Sequence, residues 1–203
     1  MRPTCLDDVL GQAHLTGKDG LLRKMLESGH LGSIILWGPP GTGKTTLAEV
    51  MARASNRPLI TANAATIGVK HIREVLDASR QRIADQGPAT VLFLDEIHRF
   101  SKSQQDVLLG DVERGIVSLI GATTENPYYT VNDALISRAT LMALKPMELE
   151  DLHTLLLRAM REDEILKTRS LSPDAIDMLA IRSGGDARRA LAALELAAAM
   201  APE

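Results

Sequence analysis

Cysteine is almost absent from this 203-residue sequence, which contains a single one, Cys5. One thiol excludes a disulfide framework within the chain and argues strongly against a cysteine-ligated metal cluster. The sequence also lacks any run approaching the roughly 18 apolar residues that a membrane-spanning helix needs. No apolar run follows the N-terminal residues either, so we expect no signal peptide, no membrane partner and a cytoplasmic location.

Aromatic residues and net charge are low as well. Phe, Trp and Tyr make up 2% of the sequence, and the formal net charge is −3. Proteins that stack single-stranded bases on aromatic side chains usually carry more aromatics, and a strongly basic nucleic-acid footprint is missing from the bulk charge. Single-strand binding by aromatic stacking and a strongly basic nucleic-acid-binding surface are therefore both disfavoured, although a local basic patch is compatible with these values. The hydrophobic fraction of 45% is enough for a packed core.

Five short apolar runs alternate with segments that have helical character. Several runs are apolar on both faces, which is typical of buried parallel strands. Alternating strands and helices predict an α/β fold, a five-stranded parallel sheet with helices on both faces. The predicted strands are residues 33–37, 58–62, 90–94, 117–123 and 140–144, and the predicted helices lie near 18–29, 44–55, 68–86 and 103–114.

Strand signals stop after Pro146, and three helical segments follow. In residues 148–161, leucines recur on one helical face. The second segment opens with Ser172 and Pro173, a cap residue followed by proline at the first helical position. We therefore predict an α/β domain over residues 1–146 and a small all-helical domain over residues 147–203.

The segment after the first predicted strand matches the phosphate-binding pattern G-x-x-x-x-G-K-[ST] at every position. A buried strand precedes it and a run of helix formers follows, which is the setting that this motif requires. Glycines let backbone N–H groups wrap phosphates, the lysine contacts the β- and γ-phosphates, and the final hydroxyl ligates Mg²⁺. We predict an ATP and Mg²⁺ site formed by Gly38, Pro39, Pro40, Gly41, Thr42, Gly43, Lys44, Thr45 and the adjacent Thr46.

Two carboxylates follow the third predicted strand. Asp95 and Glu96 come directly after the apolar run of residues 90–94. Ligands of parallel sheets bind outside the carboxyl ends of the strands. We therefore predict that Asp95 holds Mg²⁺ together with Thr45, and that Glu96 takes a proton from the attacking water.

Further motifs, combined with the phosphate loop and the acidic pair, resemble the AAA+ ATPases, and among them the RarA-type replication-associated recombination ATPases. This family is near the clamp-loader subunits and the Holliday-junction branch-migration motor. The resemblance covers essentially the whole chain. It is carried by Asp-Glu-Ile-His-Arg-Phe at 95–100, Gly-Ala-Thr-Thr-Glu-Asn-Pro at 121–127, Ala-Leu-Ile-Ser-Arg-Ala at 134–139, Gly-Asp-Ala-Arg-Arg-Ala-Leu at 185–191, and residues 2–12 and 68–74.

The resemblance implies four further catalytic roles. Thr124 resembles the first sensor, which orients the lytic water. Asn63 resembles the polar residue that holds the catalytic glutamate in an inactive pose. Arg138 resembles the arginine finger that reaches the γ-phosphate of a neighbouring subunit, and Arg188 resembles the second sensor on a helical lid formed by residues 147–203.

The resemblance also implies an adenine pocket near the N-terminus. Val9, Leu10 and Gly11 would line it, with Pro3 as a further candidate. His98 follows the acidic pair but has no second ligand at metal-binding spacing, and we interpret it as a structural or coupling residue.

Partners and assembly are implied by the resemblance alone. The full-length family acts on DNA at single-strand gaps, forks or duplex ends, with single-strand-binding protein as a candidate partner and with nucleoid association. Its members continue past this point with a region that assembles a homotetramer. We therefore expect this chain to be a fragment or a short relative, and to be mainly monomeric.

Two alternatives within the superfamily stay open, a clamp-loader-type subunit and a branch-migration motor. Large clamp-loader subunits often carry a four-cysteine zinc module, and loaders usually have cysteine where Ala139 stands here. The motor needs a C-terminal winged-helix domain. The Thr-Thr-Glu-Asn-Pro stretch at 123–127 favours the replication-associated recombination family over both.

Overall fold

The computed structural model describes residues 2–200 and contains one five-stranded sheet among them. All paired strands are parallel, in the order β2-β3-β4-β1-β5. The predicted parallel α/β sheet is therefore confirmed, with strand bounds within one residue of the predicted ones. The strands are β1 Ser33–Trp37, β2 Leu59–Asn63, β3 Thr90–Asp95, β4 Val117–Thr123 and β5 Ala139–Ala143.

Helices connect the strands and continue after the last one. Three 3₁₀ turns, Leu6–Asp8, Ile97–Arg99 and Leu166–Thr168, accompany the α-helices. The α-helices are α1 Ala13–Thr16, α2 Leu21–Glu27, α3 Lys44–Ala54, α4 Val69–Ala84, α5 Lys102–Glu113, α6 Pro127–Thr130, α7 Asp133–Ile136, α8 Leu149–Glu162, α9 Pro173–Ser183 and α10 Ala187–Met200.

Both faces of the sheet are covered, because successive side chains of a strand point to opposite sides. In β1, Ile34 and Leu36 belong to a core that includes side chains of α2 and α3. Ile35, between them, belongs to a second core with side chains of α4 and α5. All three are fully buried. This double burial explains why the sequence of β1 is apolar throughout rather than alternating.

The end of β3 is fixed by two local features. Gly121 of β4 has no side chain, and a Cβ there would lie 3.0 Å from Ile97 in the turn that follows β3. Beyond that turn, Ser101 caps α5: its Oγ accepts from Gln104 N, and Gln104 Oε1 accepts from Ser101 N at 2.8 Å. Such a reciprocal cap sets where a helix begins. The turn carrying the acidic pair is therefore held at both sides.

The three helices after β5 share a hydrophobic core of their own. Leu152 and Leu156 of α8, Ile176 of α9 and Leu194 of α10 belong to it. α9 begins at Pro173, as predicted, and Ser172 Oγ accepts from Ala175 N. The domain division at residue 146 and the lid role of these helices stay predictions, and residues 1 and 201–203 of the predicted domains lie outside the described residues. Between residues 2 and 200, no helix is long and apolar enough to cross a membrane.

Candidate active site

The phosphate loop connects the end of β1 to the start of α3. Gly41 and Gly43 have φ angles of +70° and +96°, a left-handed backbone that glycine adopts without a Cβ clash. The loop also holds itself together, because the Thr42 hydroxyl donates to Pro39 O at 2.9 Å. The pattern of glycines in the sequence thus corresponds to a real backbone requirement, and the loop is followed at once by a helix N-terminus that favours anions.

Lys44, the first residue of α3, folds back over this loop. Its ammonium donates to Gly38 O and to Pro39 O, both at 2.8 Å. Burial lowers the pKa of the Lys44 ammonium from its ordinary value, while the carboxylates of Asp95 and Glu96 act in the opposite direction. The lysine therefore brings a positive charge to the loop, and this charge interacts electrostatically with the carboxylates of Asp95 and Glu96.

The acidic pair ends β3 and begins the turn after it. Asp95 is the last strand residue, and Glu96 adopts a left-handed backbone with φ of +53°. A residue other than glycine is strained in this conformation. Asp95 Oδ1 accepts from Glu96 N at 3.0 Å, which stabilises the turn. Both carboxyl groups are placed at the same cleft as the phosphate loop.

His98, in the turn after Glu96, makes contacts that the sequence did not specify. Its Nδ1 lies 2.9 Å from Thr123 Oγ1. Its Nε2 lies 3.2 Å from Glu96 Oε2 and 3.5 Å from Glu125 Oε1. The ring bridges the turn after β3 and the end of β4, in agreement with the interpretation of His98 as a structural or coupling residue.

Asn63, the last residue of β2, is in register with Asp95 of β3. Its Oδ1 accepts from Ala65 N at 2.8 Å and so stabilises the turn that leaves β2. Within the described part of the chain, no hydrogen bond joins it to Glu96. The sequence prediction that Asn63 holds the catalytic glutamate stays a prediction.

The start of α10 packs directly against the phosphate loop. Ala187 N donates to Gly41 O at 3.2 Å, and a Cβ on Gly41 would collide with the side chain of Asp186. Arg188, in the first turn of α10, lines the cleft. The predicted second sensor thus lies on the same cleft as Lys44 and Glu96.

The N-terminal segment contributes to the wall of the cleft. Val9 and Leu10 line it, whereas Gly11 packs beside Met147, where a Cβ would lie 2.7 Å from the Met147 side chain. The buried Gln12 amide donates to Thr42 O at 3.2 Å and to Lys145 O at 2.8 Å. This glutamine, which sequence reasoning missed, ties the segment to the phosphate loop and to the chain after β5.

These elements enclose a cleft of about 370 Å³, within the range of small-ligand sites. The sequence-predicted residues that line it are Pro3, Val9, Leu10, Pro40, Gly41, Thr42, Gly43, Lys44, Thr45, Thr46, Asp95, Glu96, Thr124 and Arg188. Side chains that were not predicted complete it: Arg2, Asp8, Met147, Leu155, Arg158, Ala187 and Leu191. Their apolar members come from α8, from α10 and from the segment before α8, all distant in sequence from the phosphate loop, so no local pattern could have revealed them.

Five predicted residues do not line the cleft: Gly11, Gly38, Pro39, Asn63 and Arg138. Gly38 and Pro39 act through their carbonyls, which accept from Lys44. Arg138 lies on the surface between α7 and β5, where its Nη2 is 2.7 Å from Glu113 Oε1 and its Nη1 donates to Ala134 O at 2.9 Å. The role of Arg138 as a finger that acts on a neighbouring subunit stays a prediction.

Comparisons with known proteins agree with this architecture. The profile of the ATPase family associated with various cellular activities (AAA) matches residues 34–147. The chain is 47% identical over 208 residues to replication-associated recombination protein A of Escherichia coli K12, covering 99% of this chain and 45% of that protein. It is 46% identical over 207 residues to the protein of the same name from Haemophilus influenzae, covering 100% of this chain and 46% of that protein.

A likeness to solved structures extends over most of the chain. The RuvB Holliday junction branch migration motor of Thermotoga maritima superposes with a TM-score of 0.75 at 27% identity, covering 96% of this chain and 64% of that one. The resemblance inferred from the sequence motifs is therefore confirmed. The chain spans less than half the length of the two curated relatives described above.

Proposed function

The chain belongs to the AAA family of ATPases, and we propose that it binds ATP with Mg²⁺ in the cleft and hydrolyses the terminal phosphate bond. One observation carries this proposal: the phosphate loop, the acidic pair, Thr124 and Arg188 converge on one cleft from four separate parts of the chain. Phosphoryl transfer depends almost entirely on such positioning and on electrostatic stabilisation.

The lining of the cleft suits both ends of ATP. The phosphate loop is followed by the N-terminus of α3 and the Lys44 ammonium, both of which attract anions. The cleft is also lined by the apolar side chains of Val9, Leu10 and Leu191, which suit an adenine ring. The cleft therefore has groups suited to both parts of a nucleoside triphosphate.

Mg²⁺ fits two oxygen groups that line the cleft. Thr45 offers a hydroxyl and Asp95 a carboxylate, and both line the cleft. Hard oxygen ligands of this kind, completed by phosphate oxygens and water, are the ones Mg²⁺ prefers. We assign Thr45 and Asp95 as the residues that would hold the ion, which when bound neutralises charge on the phosphates.

Glu96 is the residue we assign as general base. Its carboxylate is partly exposed at the cleft and would accept a proton from the attacking water. Thr124 lines the same cleft and would orient that water, while Arg188 would contact the γ-phosphate from α10. Asn63 is proposed to hold Glu96 away from the water in another state of the enzyme.

The biological setting is proposed from the relatives' names. Curated relatives with 46–47% identity are called replication-associated recombination proteins, and we propose that the full-length protein acts on DNA at gaps, forks or duplex ends. A homo-oligomer, a single-strand-binding protein as partner, and a cytoplasmic, nucleoid-associated location belong to the same proposal. The likeness to RuvB supports a branch-migration motor as the second candidate.

DNA-dependent turnover separates these candidates. We expect ATP hydrolysis by the full-length protein to rise with gapped or forked DNA, because the proposed role places it at such structures. Turnover is to be measured with gapped, forked, blunt-duplex and four-way-junction DNA of equal length. Stimulation by four-way junctions alone would favour the motor, and stimulation that requires a sliding clamp would favour the clamp-loader reading.

Removing the proposed base provides the test of catalysis. Glu96→Gln should leave ATP affinity unchanged and lower turnover by about 10²–10⁴-fold, because an amide cannot accept the proton. Affinity is to be measured by titration calorimetry and turnover by phosphate release. Glu74→Gln, an exposed residue of α4, is the matched control and should behave like the unchanged chain. If Glu96→Gln hydrolysed ATP as fast as the unchanged chain, Glu96 would not be the base.

The trans role of Arg138 predicts subunit complementation. The isolated chain should be mainly monomeric and should hydrolyse ATP slowly, because a monomer lacks the arginine of a neighbouring subunit. Such an arginine raises the rate about 10³–10⁵-fold in related phosphoryl-transfer enzymes. In the full-length oligomer, Arg138→Ala and Glu96→Gln subunits should each be inactive, and mixing them should restore some turnover. Arg82→Ala, on the exposed surface of α4, serves as control. Full activity of the Arg138→Ala oligomer would make Arg138 an ordinary surface residue.

A further inference from the structure

His98 lies behind the proposed general base, with one ring nitrogen hydrogen bonded to Thr123 and the other within ion-pair distance of two carboxylates. Its side chain is 5% exposed, whereas that of Glu96 is 34% exposed. The ring nitrogen Nε2 faces two carboxylates, 3.2 Å from Glu96 Oε2 and 3.5 Å from Glu125 Oε1. A buried aromatic ring has few rotamers to choose from, and it therefore provides a fixed polar neighbour for the Glu96 carboxylate.

The other side of the ring is anchored equally well. Thr123, the fully buried last residue of β4, has its Oγ1 2.9 Å from His98 Nδ1. The same Oγ1 accepts from Glu125 N at 3.0 Å. Glu125 O lies 3.4 Å from the same hydroxyl, so Thr123 connects the histidine ring to the backbone of Glu125. Thr124 lies between the two residues that this hydroxyl connects.

Glu96 depends on such support more than an ordinary glutamate does. Its backbone is left-handed, a conformation that is strained for a residue with a side chain unless the surroundings hold it. Asp95 Oδ1 accepts from its N–H, but this contact leaves the carboxylate unrestrained. Asn63, which the resemblance proposes for that task, has its oxygen engaged by Ala65 N. The described contact to the Glu96 carboxylate comes from His98.

We propose that His98 is a positioning residue for Glu96, holding its carboxylate at the cleft and linking it to the end of β4 beside Thr124. This inference rests on the proposed function of Glu96. A general base must lie within hydrogen-bond reach of the water it deprotonates. Because the histidine joins the turn after β3 to the end of β4, a shift of either strand end would change the distance between base and water.

Two substitutions of His98 separate its two contacts. The amide of glutamine reaches about as far as Nε2, so His98→Gln retains a donor toward Glu96. The amide of asparagine reaches only about as far as Nδ1, so His98→Asn retains the contact to Thr123 and loses the one to Glu96. A misplaced catalytic group costs up to about 10²-fold in rate. We therefore expect His98→Asn to hydrolyse ATP about 10–100-fold more slowly, and His98→Gln to recover most of that loss.

The measurement is single-turnover hydrolysis of γ-labelled ATP with the chain in excess, beside ATP affinity by calorimetry and melting temperature. Affinity should be the same in all variants, which places the effect on the chemical step rather than on binding or folding. The control is His71→Asn, which replaces an exposed histidine paired with Glu74 on α4. It should leave the hydrolysis rate, the ATP affinity and the melting temperature unchanged. Thr123→Val, which removes the second anchor of the ring, should slow hydrolysis without weakening ATP binding.

A double substitution tests whether His98 acts through Glu96. Adding His98→Asn to Glu96→Gln should lower the rate no further, because the base is already absent. Equal rates for His98→Asn and His98→Gln, or further loss in the double variant, would overturn the positioning role while leaving the proposed function intact. Undiminished turnover in Glu96→Gln alone would overturn both.

Discussion

Parallel hydrogen bonding between β1, β4 and β3 is the constraint on which the whole candidate site depends. Trp37 of β1 is in register with Thr123 of β4, and Leu94 of β3 with Gly121 of β4. The phosphate loop, the acidic pair and Thr124 therefore leave the sheet at one edge, although they are far apart in sequence. Burial of both sheet faces keeps these strands from moving independently.

Groups of opposite charge line one cleft at this edge of the sheet. Lys44 is engaged by carbonyls of its own loop, while Asp95 and Glu96 are held by the turn that follows β3. Preorganised groups of this kind stabilise developing charge without reorganising during the reaction. The start of α10 hydrogen bonds to Gly41. A movement of the C-terminal helices would therefore displace or break a contact of the phosphate loop.

Local patterns predicted the sheet and the centre of the site, and long-range contacts explain what they missed. A buried strand and a phosphate loop each have a short signature, so the strands and Lys44 were found from sequence. The hydrogen bonds of Gln12 to Thr42 and Lys145 join positions that are remote in sequence, so no local sequence pattern predicts them. His98 was recognised only as a structural or coupling residue, because its partner Thr123 is contributed by another strand.

The account is tested most directly by a crystal structure of the chain with ADP, Mg²⁺ and aluminium fluoride, a mimic of the phosphoryl group in transfer. We predict the fluoride group next to Lys44 and Thr124, the ion on Thr45 and Asp95, and a water roughly 3 Å from the Glu96 carboxylate, the reach of a general base. Glu96 should still be held by His98. A nucleotide bound outside the phosphate loop, or a Glu96 carboxylate turned away from the fluoride group, would contradict the account.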